Sequence, residues 1–526
     1  MPVLQPVLKT GIVKMRSEQK GNVKNSVGRV ALAALAIIAQ VVWLVYLIVK
    51  LNKYSTVISL CSSLIALLLV LKIYSKRTNS AFKTLWIILI LVFPVMGISF
   101  YFLFGNKHAT AYIRRKFSAL HCALFSGLCD DGGVLEELSR RDYYTANQFR
   151  YLSDRESFPV YNGTAVRFFS QAADGFEAQL CDIARAKEYI FMEYHAVEDM
   201  ESFSRLFELL AQKAADGVEV RLLYDDVGSI GFVNFGFVKK MRQSGISCKV
   251  FNPVLPVLQI FMNNRDHRKI TVIDGKVAFT GGYNLADEYF NITHPYGRWK
   301  DTGLRLEGNA VDSLLAMFLE MWNCTEKHVE HFKKYFRSHT CHVQDGFVQP
   351  YADSPLDNSC VGENVYLNLI KSAAHYIYIT TPYLIISDEM NRELTLAAQR
   401  GVDVRIITPG IPDKKLIYRV TRSYYPALAG AGVRIFEYTP GFMHAKQMLT
   451  DGKTAAVGTI NLDYRSLYHH FENGVLIHGC QAVNDILRDF EDTFAQCREV
   501  TEKYSQERFA VTRGIDCILR LAAPLL

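Results

Sequence analysis

The sequence predicts an α/β protein of two homologous lobes, each a sheet flanked by helices. The lobes are related by a pseudo-twofold and preceded by N-terminal transmembrane helices. Three observations predict this. Past residue 150, apolar strand-like runs alternate with helical stretches. Segments of the first half recur in the same order in the second. Three apolar runs crowd residues 30–104, each about the ~20 residues a helix needs to cross a hydrocarbon core.

In chain order, residues 1–29 read as a basic tail and 30–104 as a membrane segment with helices at about 30–49, 55–73 and 85–104. Residues 1–129 hold 16 Lys and Arg against one acid, Glu18, whereas 130–526 carry 43 basic and 51 acidic residues. The overall charge of +7 therefore belongs to the N-terminal end, and the body is acidic. Trp43, Tyr46, Tyr54, Tyr74, Trp86 and Tyr101 supply aromatics, several near the expected interfaces. A cleaved signal peptide suits the first run poorly, because 29 residues precede it and no small-residue cleavage site is obvious. With three spans, the charge count would weakly place the body outside; with one run re-entrant, tail and body share the cytoplasmic side. Eleven scattered cysteines without a CxxC pair suggest neither a zinc site nor a disulfide framework, which favours a reducing compartment for the body.

Residues 105–149 read as a linker, 150–340 and 341–505 as the two lobes, and 506–526 as a C-terminal tail that either docks on lipid or packs on the body. The lobes are inferred from three repeats. Ala215–Leu223 is answered by Gln399–Ile407, Tyr189–Met192 by Tyr376–Ile379, and Lys249–Phe251 by Arg434–Phe436. The sharpest repeat carries the chemistry. His267, Lys269, Asp274, Gly281 and Asn284 recur as His444, Lys446, Asp451, Gly458 and Asn461, each offset by 177. The spacing H-x-K-x4-D-x6-G-x-x-N stands without an insertion in either copy, within stretches 261–288 and 438–465.

On a strand, residues i and i+2 share a face, so each His points the same way as its Lys. Asp274-Gly275 and Asp451-Gly452 then turn the chain in hairpins that return Asn284 and Asn461 beside the pair. Two such lobes, face to face, would gather two imidazoles, two ammonium groups and two carboxamides. That set suits a phosphodiester. One His can attack phosphorus and the other protonate the leaving oxygen. Lys and Asn would hold the non-bridging oxygens, where negative charge develops. The ammonium groups oppose a bound cation, so no metal is expected. Asp301 and Glu472, 34 and 28 residues past the histidines, are the candidates to fix the imidazole tautomers, each expected beside the histidine of its own lobe.

With these paired motifs the sequence resembles the phospholipase D superfamily over roughly 150–505. Trp86-Ile87-Ile88-Leu89, Pro94, Gly97, Tyr101 and Phe104-Gly105 resemble the membrane segment of bacterial cardiolipin synthases. Those enzymes usually have two such helices, so the run 30–49 is an addition. The resemblance implies two-step transfer through a phosphohistidine without cofactor or metal, with His267 as nucleophile, His444 as acid and base, and Asp274 and Asp451 structural. Gly282 and Thr459 stand where many members have Ser, which removes a hydroxyl contact in the first copy.

The leading expectation is a multi-pass protein of the bacterial cell membrane, with a cytoplasmic body. It would make cardiolipin and glycerol using phosphatidylglycerol as both donor and acceptor, among membrane lipids. Another phospholipid transferase or a hydrolase would use the same residues. A nuclease would want a basic groove, and the acidic body argues against nucleic acid as partner. A vestigial scaffold is disfavoured because both motifs are intact.

Overall fold

The computed structural model describes residues 56–506, apart from 77, 106–110, 129–132, 235, 255–262, 327–330, 338–345 and 358, together with parts of 31–50 and 510–525. The expected tail 1–29 lies outside the described residues, and the run 30–49 lies only partly within them.

Between the described helical positions of 31–50 and the body lie α1 (Thr56–Tyr74), α2 (Ser80–Val92) and α3 (Pro94–Phe104). Among the described residues no helix is long and apolar enough to cross a membrane, which departs from the three spans expected. The uncharged part of α1 ends before Lys72, leaving 56–71, about 24 Å of helix at ~1.5 Å per residue. The run 85–104 is broken, because Pro94 cannot donate the amide a continuous helix needs. The chain folds back there: a Cβ on Gly97 would lie 2.6 Å from the Ile90 Cα, so only glycine permits so close an approach.

Residues 105–149 depart from a plain linker. They contain the helices Ala111–Phe125, Gly133–Arg141 and the start of Tyr143–Glu156, whose Phe117, Leu124, Leu138 and Phe149 are buried in the main core.

Among the described residues the body contains two large sheets and a two-stranded one. The strands of the first half are β1 (Thr164–Phe169), β2 (Tyr189–Tyr194), β3 (Glu219–Asp225), β4 (Ser247–Phe251), β5 (Arg265–Asp266), β6 (Lys269–Ile273), β7 (Val277–Gly281), β8 (Arg298–Lys300) and β9 (Gly303–Gly308). Those of the second are β10 (Phe347–Asp353), β11 (Tyr376–Thr380), β12 (Asp403–Pro409), β13 (Arg434–Tyr438), β14 (Gly441–Met443), β15 (Gln447–Thr450), β16 (Thr454–Gly458), β17 (His470–His478) and β18 (Cys497–Glu499). One sheet has the order β1-β9-β7-β6-β2-β3-β4, the other β10-β17-β16-β15-β11-β12-β13-β18. In each, a parallel trio (β2-β3-β4 or β11-β12-β13) abuts an antiparallel hairpin (β6-β7 or β15-β16), as the repeated sequence segments require.

Two short strands cross between the lobes. β5 pairs in parallel with β17, and β14 pairs in parallel with β8. Each motif therefore leaves a strand of the opposite lobe before entering its own sheet. Between the two pairings sit His267 and His444, outside regular strand, where continuous strands were expected. The helix Val311–Cys324, buried from Ser313 to Asn323, packs against strands of the first sheet and against β10.

The motif aspartates take left-handed backbone, with φ of 52° at Asp274 and 51° at Asp451, each followed by glycine. Each carboxylate accepts three backbone amides, from Lys187, Glu188 and Tyr189 at 2.8–2.9 Å, or from Ala374, His375 and Tyr376 at 2.8–2.9 Å. The donors come from the helix-to-strand junction before β2 or β11, not from the hairpin's own turn as expected. Asp274→Asn would set an amide NH2 against one of these N–H donors. It is expected to destabilise by about 1.5–3 kcal/mol, the range for a hydrogen bond to a charged group, while sparing most of the turnover of folded protein. Thermal unfolding in detergent with parallel activity checks this; folded Asp274→Asn as inactive as His267→Ala would place the carboxylate in the site.

Candidate active site

The two motifs meet at one place. His267 and His444 are each only 7% exposed. The crossing strands set their backbones: the His267 N–H donates to the Phe471 carbonyl at 2.8 Å, and the His444 N–H to the Lys300 carbonyl at 2.8 Å. Both acceptors belong to the opposite lobe.

The acids are crossed in the same way, which corrects the expectation that each serves its own lobe. His267 Nδ1 bonds Glu472 at 2.8 and 2.9 Å, and His444 Nδ1 bonds Asp301 at 2.5 Å. The reason is topological. Glu472 directly follows Phe471, which pairs with Asp266 of β5, and Asp301 follows the end of β8, which pairs with β14. The polar partners of each histidine therefore gather at Nδ1, where His444 also has the Lys446 ammonium at 2.7 Å, and Nε2 is left as the free ring nitrogen.

The acids are themselves held differently. The Thr459 hydroxyl donates to Glu472 Oε2 at 2.5 Å and accepts the Asn473 amide at 3.0 Å. In the first lobe, Asp301 Oδ1 accepts the Thr302 amide at 2.9 Å and fills the space beside Gly282, where a Cβ would lie 2.0 Å from it. The departure of Gly282 from serine is thus explained: the shorter acid occupies the room a side chain would need. The hydroxyl expected to be missing has no space in this lobe.

Lys269 and Lys446, 1% exposed, both donate back to the carbonyl of their own histidine, at 2.7 Å for Lys269. Asn284 is tied within its lobe, accepting the Ala196 amide at 3.1 Å and donating to the Tyr289 hydroxyl at 2.7 Å. Among the described residues the buried Asn461 carbonyl oxygen has no hydrogen-bond partner. Sequence reasoning missed the walls of the site. His195 and His470 flank His267 at ring separations of 4.8 and 5.5 Å. Trp299, Tyr289 and Phe442 enclose His444 at 5.1, 5.2 and 5.8 Å. His470 was legible as the i−2 neighbour of Glu472 on one strand face; His195 follows the end of β2 with no motif around it.

Charge follows from burial. His267 is pushed well below the usual imidazole range by burial and by Lys269 and Lys446. Burial and Lys446 lower His444 to about 4, against the opposing pull of Asp301. A phosphodiester anion would favour the imidazolium and so raise His444 toward protonation. Burial also lowers Lys269 to about 8 and Lys446 to about 7. His267, His470 and Glu472 place potential ligand atoms within 4.8 Å of one another. Yet Glu472 already bonds His267 and Thr459, and Lys269 and Lys446 both feel its charge. This donor set fits a phosphoryl oxyanion better than a cation.

The comparisons with known proteins agree with this geometry. The family model "Cardiolipin synthase, PLD-like domain" matches residues 180–322 and 366–494, and "Phospholipase_D-nuclease N-terminal" matches 63–106. Cardiolipin synthase 2 of Bacillus cereus is 33% identical over 447 residues, covering 84% of this chain and 87% of that protein. The chain belongs to the cardiolipin synthase family of the phospholipase D superfamily. It is a phospholipid phosphatidyltransferase of that type. An uncharacterized protein of Streptococcus mutans serotype c is 42% identical over 457 residues, covering 85% of this chain and 98% of its own. The crystal structure of phosphatidylserine synthase from Haemophilus influenzae shares the fold, with TM-score 0.55 at 14% identity over 72% of this chain and 99% of that one.

Two expectations follow. A lysine of lowered pKa keeps its charge only below that value, so kcat/KM should fall increasingly steeply as pH rises through about 7 and about 8. Lys446→Arg, which cannot lose its proton, should move that limb to higher pH while lowering the plateau; an unmoved limb would remove Lys446 from the profile. Gly282→Ser should not restore a missing hydroxyl but displace Asp301 and lower kcat. A Gly282→Ser enzyme with unchanged or raised kcat would contradict the packing described.

Proposed function

We propose that the protein makes cardiolipin and glycerol from two molecules of phosphatidylglycerol. His267 Nε2 attacks the phosphorus of the first lipid; the phosphorus–oxygen bond to glycerol breaks, and the leaving oxygen takes a proton from His444 Nε2. The terminal hydroxyl of the second lipid then gives its proton to His444. Its oxygen attacks the same phosphorus, the phosphorus–nitrogen bond breaks, and both histidines return to their starting states. Lys269, Lys446, Asn284 and Asn461 hold the non-bridging oxygens as charge builds.

The observation that carries this reading is the pair of buried imidazoles. Each is tied through Nδ1 to a carboxylate of the other lobe, which leaves two Nε2 atoms for one substrate phosphorus. The cardiolipin synthase relatives support the choice of lipid. A membrane location is part of the proposal, because both substrates are lipids and α1–α3 expose Leu60, Leu64, Leu68 and Phe93.

Purified full-length protein with labelled phosphatidylglycerol should yield labelled cardiolipin and glycerol, with chelators making little difference. Phosphatidic acid as sole product, or phosphatidylserine when serine is added, would assign another acceptor. His267→Ala should abolish transfer and covalent labelling together. Lys446→Met should lower turnover by roughly 10²–10³-fold with a much smaller change in apparent affinity, because the interaction strengthens as charge develops. Near-normal turnover with only weakened affinity would remove Lys446 from the transition state.

A further inference from the structure

A helix that spans a membrane puts its two ends on opposite sides of a hydrocarbon core ~30 Å thick. The segment α2–α3 cannot do so in this fold. At its start, Asn79 donates to the Tyr468 hydroxyl of the second lobe at 2.8 Å, and Phe82 packs edge-on against Tyr464 and Tyr468 at 5.6 and 5.5 Å. Near its end, the Tyr101 hydroxyl accepts from the Lys76 ammonium at 2.6 Å, three residues before Asn79. Trp86 on α2 meets Tyr101 on α3 at 5.3 Å. The end of the segment is therefore tied back beside its start, which lies against the body, and the turn at Phe93-Pro94 is its far point. The 13 residues of α2 reach about 20 Å at ~1.5 Å per residue, more than half a bilayer core and less than the whole. Leu91, Val92 and Phe93 at the far point are exposed.

The base differs in chemistry from the tip. From Lys72 to Lys116 the chain carries eight Lys and Arg and no acid. The C-terminal helix Ala510–Ala522 touches α2 there. Its Arg520 lies over the Tyr424 ring at 4.6 Å, and Ala523 just beyond it is buried, while Ile518 and Leu525 are exposed. One side of this segment packs on the body while the other offers apolar surface beside a basic collar, the composition of an interfacial helix on anionic lipid.

We infer that α2 and α3 form a re-entrant hairpin that enters an anionic bilayer from the side of the catalytic body without crossing it, with the helix Ala510–Ala522 lying in the interface at its base. The inference rests on the lipid-substrate reading above and deepens it. Because Asn79, Phe82, Tyr464 and Tyr468 join the hairpin to the helix that follows Asn461, the leaflet that supplies the lipid is held against the second motif. The run 85–104 then does not reverse the chain's side of the membrane.

The test is cysteine accessibility in sealed vesicles holding the full-length protein, read as labelling above that of the parent with its own cysteines. Thr78→Cys and Tyr112→Cys, both at exposed positions, should react with an impermeant maleimide from the same face as the body. Val92→Cys should react from neither face until detergent is added. Labelling of Thr78→Cys and Tyr112→Cys from opposite faces, or of Val92→Cys from the face opposite the body, would overturn the hairpin. Replacing Ile518 and Leu525 together by Glu should lower transfer on vesicles but not in detergent micelles; equal effects in both would remove the C-terminal helix from the interface. Cardiolipin formation in the same vesicles is an independent reading. Same-face labelling without transfer would sink the proposed reaction and leave the hairpin standing, and transfer with opposite-face labelling would do the reverse.

Discussion

The crossed pairs His267–Glu472 and His444–Asp301 are the constraint on which the rest of the structure depends. A buried neutral imidazole has two tautomers, and only one leaves Nε2 free to attack phosphorus. Here the choice is made by a carboxylate from the other lobe in each half. A lobe alone would hold a histidine without its orienter and a buried acid without its partner, an expensive arrangement in a low-dielectric interior. The chemistry and the docking of the lobes are therefore one set of contacts. The strand pairs β5–β17 and β8–β14, the buried helix Val311–Cys324 and the fully buried Arg268, which bonds the Glu472 carbonyl and Glu320, all reinforce that seam.

The two halves are similar without being identical, and the differences follow from side-chain length. Glu472 is long enough to need a hydroxyl to steady it, and Thr459 supplies one. Asp301 is shorter, lies against Gly282 and takes a backbone amide instead. The surroundings also diverge, with two further imidazoles beside His267 and an aromatic wall around His444. A pseudo-symmetric frame thus gives the two histidines different electrostatic surroundings, which suits the proposed division into nucleophile and proton carrier.

Much of this was legible before the fold was seen, for a physical reason. The motif spacing reflects a local hairpin, whose geometry depends on a few consecutive residues, so two copies offset by 177 announce both the repeat and the gathered side chains. The acids were found as residue types, but their partners were not. Asp301 and Glu472 lie 34 and 28 residues beyond the histidines of their own lobes, and nothing local says that the chain pairs across the lobes at β5 and β14. The aspartates read as turn residues, which matches their backbone, yet their amide donors come from segments more than 70 residues away. The run 85–104 is apolar throughout, and hydropathy alone does not weigh a single proline at its middle against close contact at Gly97.

The crossed arrangement can be tested by separating the two histidines' tasks. A phosphatidyl ester of p-nitrophenol has a leaving group that departs without a proton, so its first step needs His267 and its orienter but not His444. Rapid mixing of Asp301→Asn and Glu472→Gln enzymes with this ester would show whether p-nitrophenolate appears in a burst. The crossed pairs predict that the burst survives in Asp301→Asn and is lost in Glu472→Gln. A burst lost in Asp301→Asn and retained in Glu472→Gln would contradict them.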